Sequence, residues 1–217
     1  MSDPINLELV DVDGAIREAE EAVAGDTRAD LFRKAAIGGG AVLGSGLLVS
    51  GFPEFALAGR PSKREDVKIL NFALTLEFLE SEFYKLALAN ANLEGEVLAA
   101  TRVVNKHEAT HVKFLRNALG GKAVKKPSFD FNGATDDAGK FLDLAVVLED
   151  TGVTAYSGQA PRITQTPILK AATSILTVEA RHASRFRSLN SQSFAPRSFD
   201  KPASMGEVLK AAKPFIK

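Results

Sequence analysis

The sequence predicts an all-α protein, an antiparallel four-helix bundle with one long crossover between helices two and three. Three observations predict it. Four long segments carry apolar residues at helical spacing, and none shows sustained strand alternation. The links between them run short, long, short. A Glu recurs on the apolar face of every segment, in duplicated order.

The first helix begins at Ser62, with Glu65 three residues on in capping-box spacing, and runs to about residue 91. Apolar residues at 69, 70, 73, 74 and 76 mark its buried face. The second starts after Asn92, a suitable N-cap, and stops at Gly120-Gly121. A couple of linking residues force these two helices antiparallel. The third follows Thr135-Asp136-Asp137 and runs to about residue 158. The fourth opens with Thr166 as N-cap and Pro167 as first helical residue, and ends near Asn190. The link from Gly120 to Ala134 is about fifteen residues, which reach roughly 50 Å if extended. A helix of about 25 residues is roughly 38 Å long. The link therefore spans the bundle, and helix three starts at the far end.

The 217 residues suit one ordinary domain, 45% hydrophobic and 25% charged, with formal net charge 0. The chain has no Cys, which excludes a disulfide scaffold, a thiolate zinc site, an iron–sulfur cluster and a cysteine nucleophile. Site chemistry falls to carboxylates, three His and two Tyr. Residues 1–58 hold ten acids and four bases, which leaves 17 acids and 23 bases from the totals of 27 each. No dense basic stripe with interleaved aromatics occurs, so nucleic-acid binding is not expected.

Residues 1–58 read as an N-terminal arm with an export signal, 59–190 as the bundle, and 191–217 as a tail with one short helix from Ser204 to Lys213. Residues 35–51 are uncharged and rich in Gly and Ala, preceded by Arg28, Arg33 and Lys34 and followed by Ala56-Leu57-Ala58. That is the pattern of a cleaved signal. The run is short for a retained membrane anchor, the lesser expectation. The stretch from Thr27 to Lys34 resembles a twin-arginine signal, with Ala29 where the second Arg belongs. An exported protein, in the periplasm or outside the cell, touching membrane only through this segment, is the expectation.

The carboxylates carry the chemistry. Glu77 shares a face with Leu70, Ala73, Leu74 and Tyr84, and Glu149 with Leu142, Ala145, Val146 and Tyr156. Glu108 lies with Val104, His111 and Leu115, and Glu179 with Ile175, His182 and Phe186. A bare carboxylate in a core is costly, so each must be paired, protonated or bound to a cation. Glu108 to His111 and Glu179 to His182 are both Glu-x-x-His, and residues three apart on a helix reach one ion. Glu77 and Glu149 are each followed seven residues later by a Tyr, Tyr84 and Tyr156. The two halves repeat: 31 residues separate Glu77 from Glu108, and 30 separate Glu149 from Glu179. His107 to His111 also spells His-Glu-x-x-His, a zinc peptidase pattern. It lacks a third His at the required spacing, and it leaves Glu77, Glu149, Glu179 and His182 without a role.

One Glu from each of two helices plus Glu-x-x-His from each of the other two resembles the di-iron or di-manganese site of the ferritin-like proteins. Residues 70–80 and 148–156 are most similar to exported bacterial ferritin-like proteins and the related desiccation-linked group. The resemblance covers roughly residues 62–190. It implies two Fe ions or two Mn ions, with Glu108 and Glu179 bridging or chelating and His111 and His182 capping one ion each. Glu77 and Glu149 would be terminal ligands, and Tyr84 and Tyr156 neighbouring donors or redox-active groups. Glu80 could stand in for Glu77 or add a seventh ligand. The implied activity is oxidation with dioxygen or peroxide, of the ferroxidase, peroxidase or catalase type, with ferrous iron as one substrate and oxidative-stress protection as one purpose. The alternative is a non-catalytic, stress- or desiccation-linked metal-binding bundle. Electron supply through a rubredoxin iron is excluded by the missing Cys. The resemblance allows a homo-oligomer, while a storage cage would depend on surfaces that residue order does not display.

Overall fold

A computed structural model describes residues 62–217. The export signal expected within residues 1–58 lies outside the described residues. Five helices follow in order: α1 Lys63–Asn90, α2 Gly95–Leu119, α3 Ala138–Gln159, α4 Thr166–Leu189 and α5 Met205–Ala212. Three single 3-10 turns extend α2, α3 and α5. Among the described residues the one β contact is an isolated bridge, Phe129 to Ile216. None of the described helices is long and apolar enough to cross a membrane. The protein is an all-α bundle of two helical hairpins, α1–α2 and α3–α4, with α1 also against α3 and α2 against α4.

Local chemistry sets the ends. Ser62 Oγ accepts from Glu65 N at 3.2 Å, capping α1. The return half of the box does not form, because the Glu65 carboxylate turns to Arg162 at 2.9 Å. The second helix starts later than Asn92 suggested. Asn92 has φ +49° and Gly95 φ +52°, so the chain turns left-handed first and Glu94 becomes the N-cap. Asp137 caps α3 by accepting from Lys140 N at 2.8 Å. In α4, Gln165 is the N-cap and Thr166 the first helical residue, one position from expectation. Ser204 and Glu207 form a complete capping box on α5.

The crossover climbs the bundle beside α1. Asn71 bonds both Lys122 O (3.0 Å) and Val124 N (2.8 Å), Lys126 pairs with Glu82, and the Phe131 ring lies 5.1 Å from Phe83. Successive residues of the link thus meet successive turns of α1, which carries the start of α3 to the opposite end. At the other end, buried Asp66 ties the α3–α4 turn to α1. Its carboxylate accepts from Thr164 N, Thr164 Oγ1, Gln165 N and Gln165 Nε2 at 2.7–3.1 Å. Burial opposes its ionisation, but these four donors outweigh it and hold the carboxyl below its usual range.

The tail is docked on the bundle. Val208 and Ala212 pack with Phe72, Leu76 and Ala155. Ala203 N donates to Thr154 O at 3.0 Å, and a Cβ at Gly158 would sit 1.9 Å from Ala203 O. Glycine at 158 is what lets the strap lie against α3. Between the helices, Phe83 stacks on Phe141 at 5.1 Å and Tyr84 on Phe186 at 5.5 Å. Leu70, Leu74, Leu115 and Ile175 form a second apolar cluster, which includes Tyr156. The acidic residues lie in the bundle interior with these clusters.

Candidate metal centre

Glu77, Glu108, Glu149 and Glu179 are each 0% exposed, with His111 at 8% and His182 at 5%. One carboxylate comes from each of α1, α2, α3 and α4, and the two imidazoles stand one turn beyond Glu108 and Glu179. The six residues predicted from sequence converge. Glu77, Glu108, His111 and Glu179 place one ligand atom each within 4.8 Å of one another, and so do Glu108, Glu149, Glu179 and His182. Glu108 and Glu179 belong to both groups.

The imidazoles face inward through Nδ1. His111 Nδ1 lies 3.0 Å from Glu108 Oε2 and 3.2 Å from both Glu77 Oε2 and Glu179 Oε1. His182 Nδ1 lies 3.1 Å from Glu108 Oε1 and 3.3 Å from Glu149 Oε2. The two His182 approaches and that of His111 to Glu179 lack the alignment that a hydrogen bond needs. Glu108 Oε1, Glu149 Oε2, both Glu179 oxygens and His182 Nδ1 are buried without a hydrogen-bond partner. Buried polar atoms are nearly always partnered. Five orphans, all oxygen or imidazole nitrogen and all aimed into one interior space, are a donor set suited to hard or borderline divalent cations. The residues present therefore fit a metal centre.

Electrostatics point the same way. Burial pushes the Glu77 carboxyl up to about 8, helped by the charge of Glu108. Burial raises Glu149, and with neighbouring carboxylates it raises Glu179 well above the usual range. Burial opposes the charged forms of Glu108, His111 and His182, but their mutual contacts win. Glu108 falls to about 2, while His111 rises to about 12 and His182 to about 10. Two imidazolium rings cannot neutralise this many buried carboxyls, so the rest hold protons.

The tyrosines cross over. Sequence placed each on the stripe of the Glu in its own helix. In the fold, Tyr156 Oη donates to Glu77 Oε1 at 2.5 Å, and Tyr84 Oη donates to Glu149 Oε1. Each ring thus secures the carboxylate of the opposite hairpin. Burial first, then the adjacent carboxylate, raises both phenols well above their usual range, so they stay protonated donors.

Glu80 is buried at 3% but lies in neither ligand group, whereas Glu77 does. Its Oε1 rests against Gly152: a Cβ there would meet it at 3.2 Å and Glu179 Oε2 at 2.9 Å. Position 152 is three residues after Glu149, as 80 is after Glu77, so one half of the repeat adds a carboxylate where the other omits a side chain. Sequence reading passed over Gly152; the broken repeat was the available signal. His107 belongs to neither group, and its Nδ1 lies 2.8 Å from His182 Nε2. The two His of His-Glu-x-x-His therefore do not converge on one ion, against a peptidase site.

A helical bundle with a paired carboxylate–histidine interior defines the class, and the comparisons agree. Residues 65–192 match the ferritin-like domain, and the chain belongs to that family. It is 25% identical over 132 residues to Protein rds1 of Schizosaccharomyces pombe, covering 57% of this chain and 32% of that protein. The match thus spans about a third of its relative's length. The crystal structure of a hypothetical protein from Methanococcus jannaschii superposes with a TM-score of 0.52 at 13% identity, covering 73% of this chain and 97% of the other. That likeness concerns the fold alone.

Proposed function

We propose that this protein is a dinuclear iron or manganese carboxylate protein that oxidises its substrate with dioxygen or peroxide. The observation that carries the reading is the pair of four-residue groups sharing Glu108 and Glu179. Glu77 and His111 complete one position, and Glu149 and His182 the other. Two adjacent redox ions supply two-electron chemistry without a free radical. The four carboxylates offset the charge of two divalent ions. Tyr84 and Tyr156 orient Glu149 and Glu77 by donating a hydrogen bond to each carboxylate while keeping the proton on their own Oη. The apolar and aromatic packing around the centre limits bulk water. Export by the N-terminal segment fits an oxidant-handling role outside the cytoplasm.

The test is metal analysis of protein purified without chelator, followed by ferrous oxidation and peroxide consumption. Two ions per chain are expected, with turnover lost in Glu108→Ala and Glu179→Ala. If ions are bound and neither variant alters any turnover, the bundle uses them for structure, as a stress-linked binding protein would.

A further inference from the structure

We infer that the two ion positions are inequivalent, because His107 holds His182 from behind and makes the Glu108–Glu149–Glu179–His182 position the tighter one for a divalent cation. The inference rests on the metal reading above.

His182 is fixed at both nitrogens. Nδ1 faces Glu108 and Glu149, while Nε2 lies 2.8 Å from His107 Nδ1. The rings are nearly parallel, with centroids 5.1 Å apart and planes 17° from each other. Nε2–H donating to His107 fixes the ring's orientation before an ion arrives, so that an ion displacing the Nδ1 proton meets a lone pair already facing Glu108 and Glu149. A partner on the far nitrogen of a ligating His also raises its basicity, and losing one typically costs 10- to 100-fold in metal affinity.

His111 has no such partner. Its Nδ1 meets Glu77, Glu108 and Glu179, but no described residue bonds its Nε2. The repeat shows why. His107 directly precedes Glu108, and the residue directly preceding Glu179 is Val178, which offers no polar atom. His107 and Val178 line one surface pocket together with Val103, Arg181 and Arg185. His107 itself is exposed, so replacing it does not hollow the core.

The experiment titrates metal-free, full-length protein anaerobically with Mn2+, counting free ion by electron paramagnetic resonance. Two successive constants separated by at least about tenfold are expected for the native chain. His107→Val should weaken the Glu108–Glu149–Glu179–His182 position by about 10- to 100-fold, so that the gap between the two constants closes or reverses and their product weakens by that factor. His107→Asn, whose Oδ1 can stand where Nδ1 was, should restore most of the loss. Overturning results are a His107→Val isotherm like the native one, or no recovery in His107→Asn. Two ions bound with equal constants by the native chain refute this inference alone. A native chain that takes up no ion refutes the metal reading as well.

Discussion

Replacing Gly152 by Ala puts the packing of the centre to its most direct test. The added Cβ would stand 2.9 Å from Glu179 Oε2 and 3.2 Å from Glu80 Oε1. Carbon atoms in ordinary contact sit about 3.5–4.0 Å apart, so the Glu179 carboxylate must retreat by roughly 0.5 Å. Glu179 is 0% exposed and packed beside Gly152 and Glu80, so its carboxylate does not swing out to solvent. Overpacking of this kind costs about 1–3 kcal/mol. For a domain of this size each kcal/mol lowers the melting temperature by about 2–4 °C, so a drop of about 2–12 °C is expected in metal-free protein by calorimetry. Because Glu179 belongs to both ligand groups, its displacement should weaken both ion positions and shrink the thermal gain on adding Mn2+. Glu80→Ala in the same chain should recover part of the loss by opening room for Glu179. A Gly152→Ala protein that melts within about 1 °C of native and gains as much from Mn2+ would refute the reasoning.

Metal-free protein should lose stability as pH rises. His111 and His182 are raised to about 12 and about 10 in the fold, so their contribution is complete below the unfolded value near 6.5 and disappears as pH climbs through those values. Glu77, raised to about 8, is protonated in the fold and ionised in the unfolded chain between about 4.5 and 8, so it too favours the folded state less as pH rises. Glu108, lowered to about 2, acts oppositely, but its contribution is already complete above about 4.5. Melts in chelator from pH 5 to 9 should fall steadily; a rise across that range would contradict the assignment. Tyr84→Phe should weaken the ion position that contains Glu149, and Tyr156→Phe the one that contains Glu77, each removing a donor worth about 1.5–3 kcal/mol to a charged acceptor. Stepwise Mn2+ titration reads this, and the opposite assignment would show that the tyrosines serve their own helices.

Periodicity and residue chemistry were enough to place Glu77, Glu108, Glu149 and Glu179 on apolar faces and to set His111 and His182 beside two of them. Spacing along one helix decides which side chains share a face, whatever surrounds it. The link lengths likewise settled the order of hairpin, crossover and hairpin. Only the tertiary structure decided what depends on how far one helix is shifted along its neighbour. The crossing of Tyr84 to Glu149 and Tyr156 to Glu77, the seating of Glu80 on Gly152 and the pairing of His107 with His182 each join residues at least 65 positions apart. That axial register comes from the packing of Phe83, Phe141 and Phe186 and from the Asp66 and Asn71 clasps, which no single helix encodes.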